Sequence, residues 1–146
     1  MEYHFYGCDN ADVKPINDAF ANVGDPRHLY DLLSEIWCIG TCAPRLRQEW
    51  TEDNKTLGQC SITAFLAQEI YGGKVLGVLR PGGNYHCYNV VGSCVFDLTS
   101  EQFGDELLDY SKHIEQYRDV HFSTEEKRTR YMYLKSKLLE KIREQH

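Results

Sequence analysis

The chain has 146 residues, enough for one hydrophobic core and too few for two, so we expect a single domain over residues 1–146. Its 16 basic and 22 acidic residues give a net charge of −6, which argues against nonspecific binding to nucleic acid or to an anionic membrane. No apolar run approaches the roughly 20 residues of a membrane-spanning helix. The chain also begins without a basic leader, so we expect a cytoplasmic protein.

Composition alone does not determine the role of the six cysteines. In a reducing compartment they serve as buried thiols, metal ligands or a nucleophile, and disulfides are the least expected use. Cys38 and Cys42 approach zinc-finger spacing, but His86 and Cys87, the other close pair, point to opposite faces of a predicted strand. The cysteines therefore do not predict a metal site. Gly-rich phosphate-binding motifs are also absent, so we expect no cofactor. The six cysteines are Cys8, Cys38, Cys42, Cys60, Cys87 and Cys94.

Helices are predicted in the first half of the chain. Residues 1–25 are rich in Asn, Asp, Gly and Pro and are typical of a loop with one short helix. Asp25-Pro26 opens a helix, because proline is accepted in the first turn, and this helix is predicted to end around residues 38–40. After an irregular loop over 40–59, a second helix is predicted over Cys60–Tyr71, where two glycines stop it.

The second half is predicted to form an antiparallel meander and two more helices. The strands are Lys74–Leu79, Tyr85–Val91 and 94–98. Gly92-Ser93 is a two-residue connection typical of type II′ hairpins. A short helix is expected at Glu101, and a long one from Ser123, because Ser123 and Glu126 have capping-box spacing. This order of elements indicates an α+β domain.

Cys60 is the candidate nucleophile. It opens the second predicted helix directly after Gly58-Gln59, so its thiol is expected at the positive end of the helix dipole. That position lowers a thiol pKa from its ordinary value of roughly 8.5 and favours the reactive thiolate. A nucleophile of this kind needs a general base, commonly a histidine that a carboxylate or an amide orients.

His86 and Asp97 are the candidate base and orienting carboxylate. With a two-residue turn at Gly92-Ser93, the strand register puts both side chains on one face as diagonal neighbours, roughly 7–8 Å apart at the backbone. A slip of one residue sends Asp97 to the opposite face. We expect the helix that carries Cys60 to cover this same face.

The order of a helix-borne cysteine, a histidine and an aspartate resembles the transglutaminase-like and papain-like superfamily. The resemblance implies a papain/transglutaminase-like core, in which the nucleophile helix packs on a small antiparallel sheet, here with a long C-terminal helix added. It also implies an oxyanion role for Asn54, at the position before the cysteine where papain-like enzymes typically have Gln. The Cys60 N–H is the expected second donor, and Gln59 is a further candidate.

A closer resemblance covers most of the chain. The sequence is similar to the YunG-like family of bacterial proteins, which has Gly-Gln-Cys, His-Tyr-x-Asn and Asp-Leu-Thr-x-x-Gln-Phe at similar spacing. The matching residues here include Gly58-Gln59-Cys60, His86 with Asn89, and Asp97-Leu98-Thr99 with Gln102-Phe103. The chain departs from the family pattern at Cys87, where an aromatic residue is usual. The resemblance implies a fold and a Cys-His-Asp triad, and no substrate.

Together these features predict a cysteine-dependent hydrolase or acyltransferase that acts on an amide, ester or isopeptide bond. Cys60 attacks the acyl carbon, His86 moves the proton and Asp97 holds the imidazole. Trp50 is a candidate wall of the substrate groove, or else an anchor for its loop. The alternative is a non-catalytic binding or regulatory module on a degenerate peptidase-like scaffold. An open groove that ends at the thiol favours the enzyme, and a pocket filled by a tyrosine or by the N-terminal segment favours the module.

Overall fold

The fold is a small antiparallel sheet with helices packed on it. In the computed structural model, which describes residues 2–111 and 114–145, the strands are β1 (Lys74–Leu79), β2 (Tyr85–Val91), β3 (Cys94–Phe96) and β4 (Ile114–Gln116). The α-helices are α1 (Pro26–Ser34), α2 (Cys60–Tyr71), α3 (Arg118–His121) and α4 (Glu125–Glu144). The strands lie in the order β3-β2-β1-β4, and every pairing between them is antiparallel. The protein is therefore an α+β protein with a long C-terminal helix.

Helix α2 lies at the centre of the molecule because most of its surface is apolar. It packs against β2 and β1 on one side and against α4 on another, and α4 also contacts α1. Ile62, Leu66 and Ile70 of α2 are fully buried in the main core, together with Leu134 and Leu138 of α4. A helix that is hydrophobic on nearly all sides is stable only in such an interior position.

Helix α1 begins where the sequence predicted and ends earlier. The Asp25 carboxylate accepts hydrogen bonds from backbone N–H groups of the first turn, which Pro26 opens. The helix ends at Ser34, not at residues 38–40. After the helix, the Trp37 backbone N–H still donates to Leu33 O, which forms one further turn. The Trp37 indole donates a hydrogen bond to Thr63 in α2 at 3.0 Å. This anchor redirects the chain before the predicted helix end.

The two segments predicted as loops contain short 3-10 helices. Residues before α1 form two of them, Cys8–Asn10 and Asp18–Phe20, and the segment between α1 and α2 forms three more, Ile39–Thr41, Pro44–Leu46 and Glu52–Asn54. The N-terminal segment also contributes Phe5 and Phe20 to the main core, where both are buried. Much of this chain is therefore packed without forming long elements.

The register predicted for the β2–β3 hairpin is confirmed. Val91 pairs with Cys94 across the Gly92-Ser93 turn, and Gly92 has a φ of +60°, as the first central position of a type II′ turn requires. Strand β3 is shorter than predicted, because it ends at Phe96. The next residue, Asp97, leaves β2 and donates its backbone N–H to Tyr6 O at 2.9 Å.

The sequence prediction missed β4 and α3 and misplaced the start of α4. Strand β4 has three residues and pairs with β1, so its hydrophobic pattern is too short to read. Helix α4 begins at Glu125 after Thr124, and the predicted capping box is wrong. The Ser123 hydroxyl instead donates to Val120 O, a backbone carbonyl in α3. The short helix expected at Glu101 is a 3-10 helix over Ser100–Phe103.

Helix α2 covers the opposite face of β2 from the one predicted. The Asn89 side-chain amide donates to Ala64 O at 2.8 Å, and Cys87 packs with Ala64 and Phe65 of α2. His86 lies on the other face of the strand, because successive side chains alternate. The expectation that α2 covers the His86 face is therefore wrong. Cys60 meets His86 at an edge of β2, as described below.

Within residues 2–111 and 114–145, no helix has the length and apolar character needed to cross a membrane.

Candidate active site

Cys60 lies at the first position of α2 and faces an open cavity. The residue is partly exposed and lines a cavity of about 660 Å³. Gly58 turns the chain into the helix with a φ of +74°, and a Cβ on it would lie 2.5 Å from Cys42 Sγ. The sharp turn thus requires glycine, and it puts the Cys60 sulfur at the end of the helix where backbone N–H groups are unpaired.

His86 and Asp97 form a buried hydrogen-bonded pair. His86 Nε2 lies 2.6 Å from Asp97 Oδ2, and both side chains are almost completely buried. Asp97 directly follows the last residue of β3. The register of the hairpin puts its side chain on the same face of the sheet as His86, so the two side chains meet. Burial lowers the pKa of His86, but the charge and hydrogen bond of Asp97, together with Cys60, outweigh it and raise this pKa to about 10.

Asp97 accepts additional hydrogen bonds that hold its carboxylate in place. Thr99 donates to Oδ1 from its backbone N–H at 3.1 Å and from its hydroxyl at 3.3 Å. The Tyr110 hydroxyl donates to Oδ2 at 2.7 Å. Burial, and then the neighbouring Asp97 charge, raise the pKa of Tyr110, so this phenol stays protonated as a donor. Sequence reasoning missed Tyr110, because nothing in the pattern connects residue 110 to the hairpin.

The His86 ring packs against Phe103. The two rings meet edge to face with centroids 4.7 Å apart, and the Arg80 guanidinium lies over the Phe103 ring at 4.6 Å from its centroid. This stacking limits the access of water to the imidazole. The Asp97-Leu98-Thr99 and Gln102-Phe103 motif therefore supplies both a carboxylate and an aromatic cover.

The surroundings of Cys60 favour its thiolate. A hydrogen bond with the Cys87 thiol lowers the pKa of Cys60 well below its ordinary value, and a hydrogen bond and charge interaction with His86 lower it further. These effects outweigh burial, which acts in the opposite direction. Because Nε2 of His86 is occupied by Asp97, Nδ1 is the nitrogen left for Cys60. The three predicted residues are thus joined in one chain of contacts.

Cys60 reaches His86 and Cys87 together because it lies at an edge of β2. Strand β3 ends at Phe96, opposite Asn89. Alternate residues of a strand direct their N–H groups to the same edge, so the Cys87 N–H points to the edge that β3 has left. There it donates to the Cys60 sulfur. The hydrogen bond to Cys60, followed by burial, raises the pKa of Cys87 well above its ordinary value.

Three further residues predicted for the site lie apart from the Cys60 cavity. Asn54 lines a second cavity together with Tyr30 and Glu101. The Gln59 side chain is fully buried and donates to Cys38 O at 3.2 Å. The Trp50 indole donates to Lys55 O at 3.0 Å, as expected of a loop anchor.

The lining of the Cys60 cavity includes residues that the sequence did not single out. His121 and Lys127 line it, and Lys127 Nζ lies 3.0 Å from His121 Nδ1. The other ring nitrogen, Nε2, lies 2.9 Å from Gln116 Oε1. Burial and then the Lys127 charge lower the pKa of His121 to about 4, so its imidazole is neutral near pH 7. In the described part of the chain, no three His, Cys, Asp or Glu residues are grouped to hold a metal ion.

Comparisons with known proteins identify the family of the chain. The family model described as "YunG protein" matches residues 25–143, a span that contains Cys60, His86 and Asp97. The chain is 32% identical over 95 residues to the "Uncharacterized protein YunG" of Bacillus subtilis (strain 168), which is 65% of this chain and 76% of that protein. No solved structure matches the chain. The chain belongs to the YunG protein family.

Proposed function

We propose that the protein is a cysteine-dependent hydrolase or acyltransferase that acts on an amide, ester or isopeptide bond. The observation that carries the proposal is the contact chain Cys60–His86–Asp97, with its sulfur at a helix N-terminus and beside an open cavity. Nucleophile, base and orienting carboxylate in hydrogen-bond contact are the parts that acyl transfer through a thioester requires.

The first half of the reaction forms a thioester. The Cys60 thiolate attacks the acyl carbon, and the carbonyl π electrons move to oxygen. When the tetrahedral intermediate collapses, the bond to the leaving amine or alcohol breaks, and His86 donates its Nδ1 proton to that group. Asp97 stabilises the imidazolium before this step and keeps Nε2 protonated after it.

The second half returns the enzyme to its starting state. Water, or an acceptor amine or alcohol, attacks the thioester carbon while neutral His86 takes its proton at Nδ1. The bond to sulfur breaks, the acyl product leaves, and the Cys60 thiolate again faces a protonated His86. The Cys60 backbone N–H is the proposed oxyanion donor, because the first N–H groups of a helix have no partner within it.

Membership of the papain-like and transglutaminase-like superfamily is part of this proposal. A nucleophile at the start of a buried helix, with its His on the adjacent strand and its Asp directly after the next strand, supports it. Asn54 is left out of the proposed oxyanion site because it lines a different cavity. The binding-module alternative needs a blocked pocket. Among the described residues, none of the N-terminal segment lines the cavity at Cys60. Tyr85 lines the cavity, which keeps a volume of about 660 Å³, so the enzyme is the reading that we propose.

Reaction with p-nitrophenyl acetate tests the proposal. We expect release of p-nitrophenolate and transfer of the acetyl group to Cys60, located by peptide mass spectrometry. Cys60→Ala abolishes this reaction, and His86→Gln slows it by about 100-fold, the usual contribution of a general acid–base group. Cys38→Ser is the matched control, because Cys38 is another partly exposed thiol. Equal acetylation of Cys8, Cys38 and Cys60, or no effect of His86→Gln in a folded variant, would overturn the proposal.

A further inference from the structure

The cavity at Cys60 is positively charged although the whole chain carries a net charge of −6. Its charged lining residues are Arg45, Glu126, Lys127 and Arg130. Glu126 and Arg130 neutralise each other through an ion pair of 2.8 Å. Among the described residues, neither Arg45 nor Lys127 takes part in an ion pair within 4.0 Å. The cavity thus presents two cations without a matching carboxylate.

A neutral hydrogen-bond partner holds Lys127 in position. Its ammonium group donates to Nδ1 of neutral His121, whose Nε2–H donates to Gln116 Oε1. A lysine tethered to a neutral acceptor keeps its full electrostatic attraction for an anion. The tether also reduces the side-chain entropy that binding an anion has to overcome.

We infer that the acyl substrate carries a carboxylate group that lies against Lys127 and Arg45 while Cys60 attacks its scissile carbonyl. This inference rests on the proposed function and names the substrate class: amides or esters with a free carboxylate near the scissile bond, such as acylated amino acids and peptides with a terminal carboxylate. Arg45 offers a planar pair of donors to the two carboxylate oxygens, and Lys127 offers a point charge.

Paired alkylating agents test the charge at Cys60 without knowledge of the substrate. Iodoacetate is anionic and iodoacetamide is neutral, and both transfer a carbon to the same sulfur. The ratio of their rates at Cys60 therefore reports local charge and cancels changes in thiolate content. We expect Lys127→Met to lower the iodoacetate to iodoacetamide ratio by about threefold or more, and added salt to reduce the wild-type ratio.

Lys141→Met is the matched control, because Lys141 pairs with Glu35 on another surface and does not line the cavity. An unchanged ratio in both Lys127→Met and Arg45→Met overturns the carboxylate inference. Failure of the proposed function has a different signature: Cys60 forms no acetyl thioester with p-nitrophenyl acetate, while the alkylation ratio still responds to Lys127→Met.

Discussion

Asp97 is the residue on which the charge state of the candidate site depends. Its carboxylate accepts from His86 and Tyr110 at one oxygen and from Thr99 at the other, with all of these groups buried. The charge of Asp97 and its hydrogen bond to the imidazole raise the pKa of His86. The low pKa of Cys60 therefore depends partly on a residue that contacts it only through His86.

The pH dependence of thiol labelling is the first prediction at this scale. Cys60 has a lowered pKa and Cys8 a raised one. As the pH falls from about 8 to about 6, the rate of iodoacetamide labelling is expected to fall about tenfold per unit at Cys8 and much less at Cys60. Site-resolved mass spectrometry measures both rates in one sample. Parallel profiles for the two cysteines would show that Cys60 is not activated.

Replacing Asp97 by Asn is expected to weaken this activation. The Asp97→Asn side chain has no charge to stabilise the His86 imidazolium, so the pKa of His86 falls and the thiolate at Cys60 loses its partner. We expect the labelling rate of Cys60 near pH 6 to drop about tenfold or more, equal to at least one unit of pKa. Tyr110→Phe, which removes one hydrogen bond and leaves the carboxylate charge, is expected to change the rate by about threefold or less. Equal rates in wild-type and Asp97→Asn protein would contradict this account.

At the scale of elements, the end of β3 creates the site. If β3 continued beside β2 past Phe96, its backbone would occupy the edge at which Cys60 meets Cys87. The departure of Asp97 toward Tyr6 leaves that edge open and carries the carboxylate to His86. The start of α2 then fills the opening with its first residue. The nucleophile therefore belongs to the helical layer and the base to the sheet, and the two meet where the start of α2 reaches the edge of β2.

The turn at Gly58 is expected to tolerate no side chain. In Gly58→Ala the new Cβ lies 2.5 Å from Cys42 Sγ and 3.0 Å from Ala43 N, and the backbone also has a positive φ. We expect the free energy of unfolding, measured by urea denaturation, to fall by about 2–4 kcal/mol. Gly92→Ala is the matched control with a φ of +60° and no atom within 4 Å of the added Cβ. It is expected to lose about 1 kcal/mol. Similar losses in both variants would mean that close packing at Gly58 is unimportant.

At the scale of the whole molecule, α4 connects the C-terminus to the loop that delivers Cys60. Arg130 of α4 is 5% exposed and donates to Thr41 O at 3.2 Å and to Gly58 O at 3.4 Å. Its Nε also pairs with Glu126 in the preceding turn. A residue far along the chain thus satisfies two carbonyl groups beside the nucleophile, in a segment that has little regular structure of its own.

Removing this connection is expected to destabilise the protein measurably. Arg130→Met keeps the apolar stem but removes the guanidinium donor from both carbonyls, of which Gly58 O keeps its bond from the Ala43 N–H. We expect a loss of about 2–3 kcal/mol in the free energy of unfolding. Arg143→Met, at an exposed position on the same helix, is the control and is expected to change it by less than about 0.5 kcal/mol. Denaturation curves that coincide for Arg130→Met and the wild type would show that the buried guanidinium adds no net stability.

Local sequence signals were sufficient where structure depends on near neighbours. The bounds of α2, β1 and β2, the Gly92-Ser93 turn and the start of α1 follow from periodicity, glycine positions and an N-cap, all of which act within a few residues. The hairpin register follows from the turn length, and this register is sufficient to predict that His86 and Asp97 share one face.

Long-range packing decided the remainder of the candidate site. Sequence periodicity cannot tell which face of β2 receives α2, because His86 and Cys87 alternate and both faces are buried. It also cannot connect Tyr110 to Asp97, place Lys127 and His121 at the Cys60 cavity, or separate Asn54 from it. These contacts join residues distant in the chain, and their free energy comes from burial and hydrogen bonds that exist only after the layers have packed. The local elements and the candidate nucleophile can therefore be predicted from near neighbours in the sequence, whereas the surroundings of the nucleophile arise only from the packing of the layers.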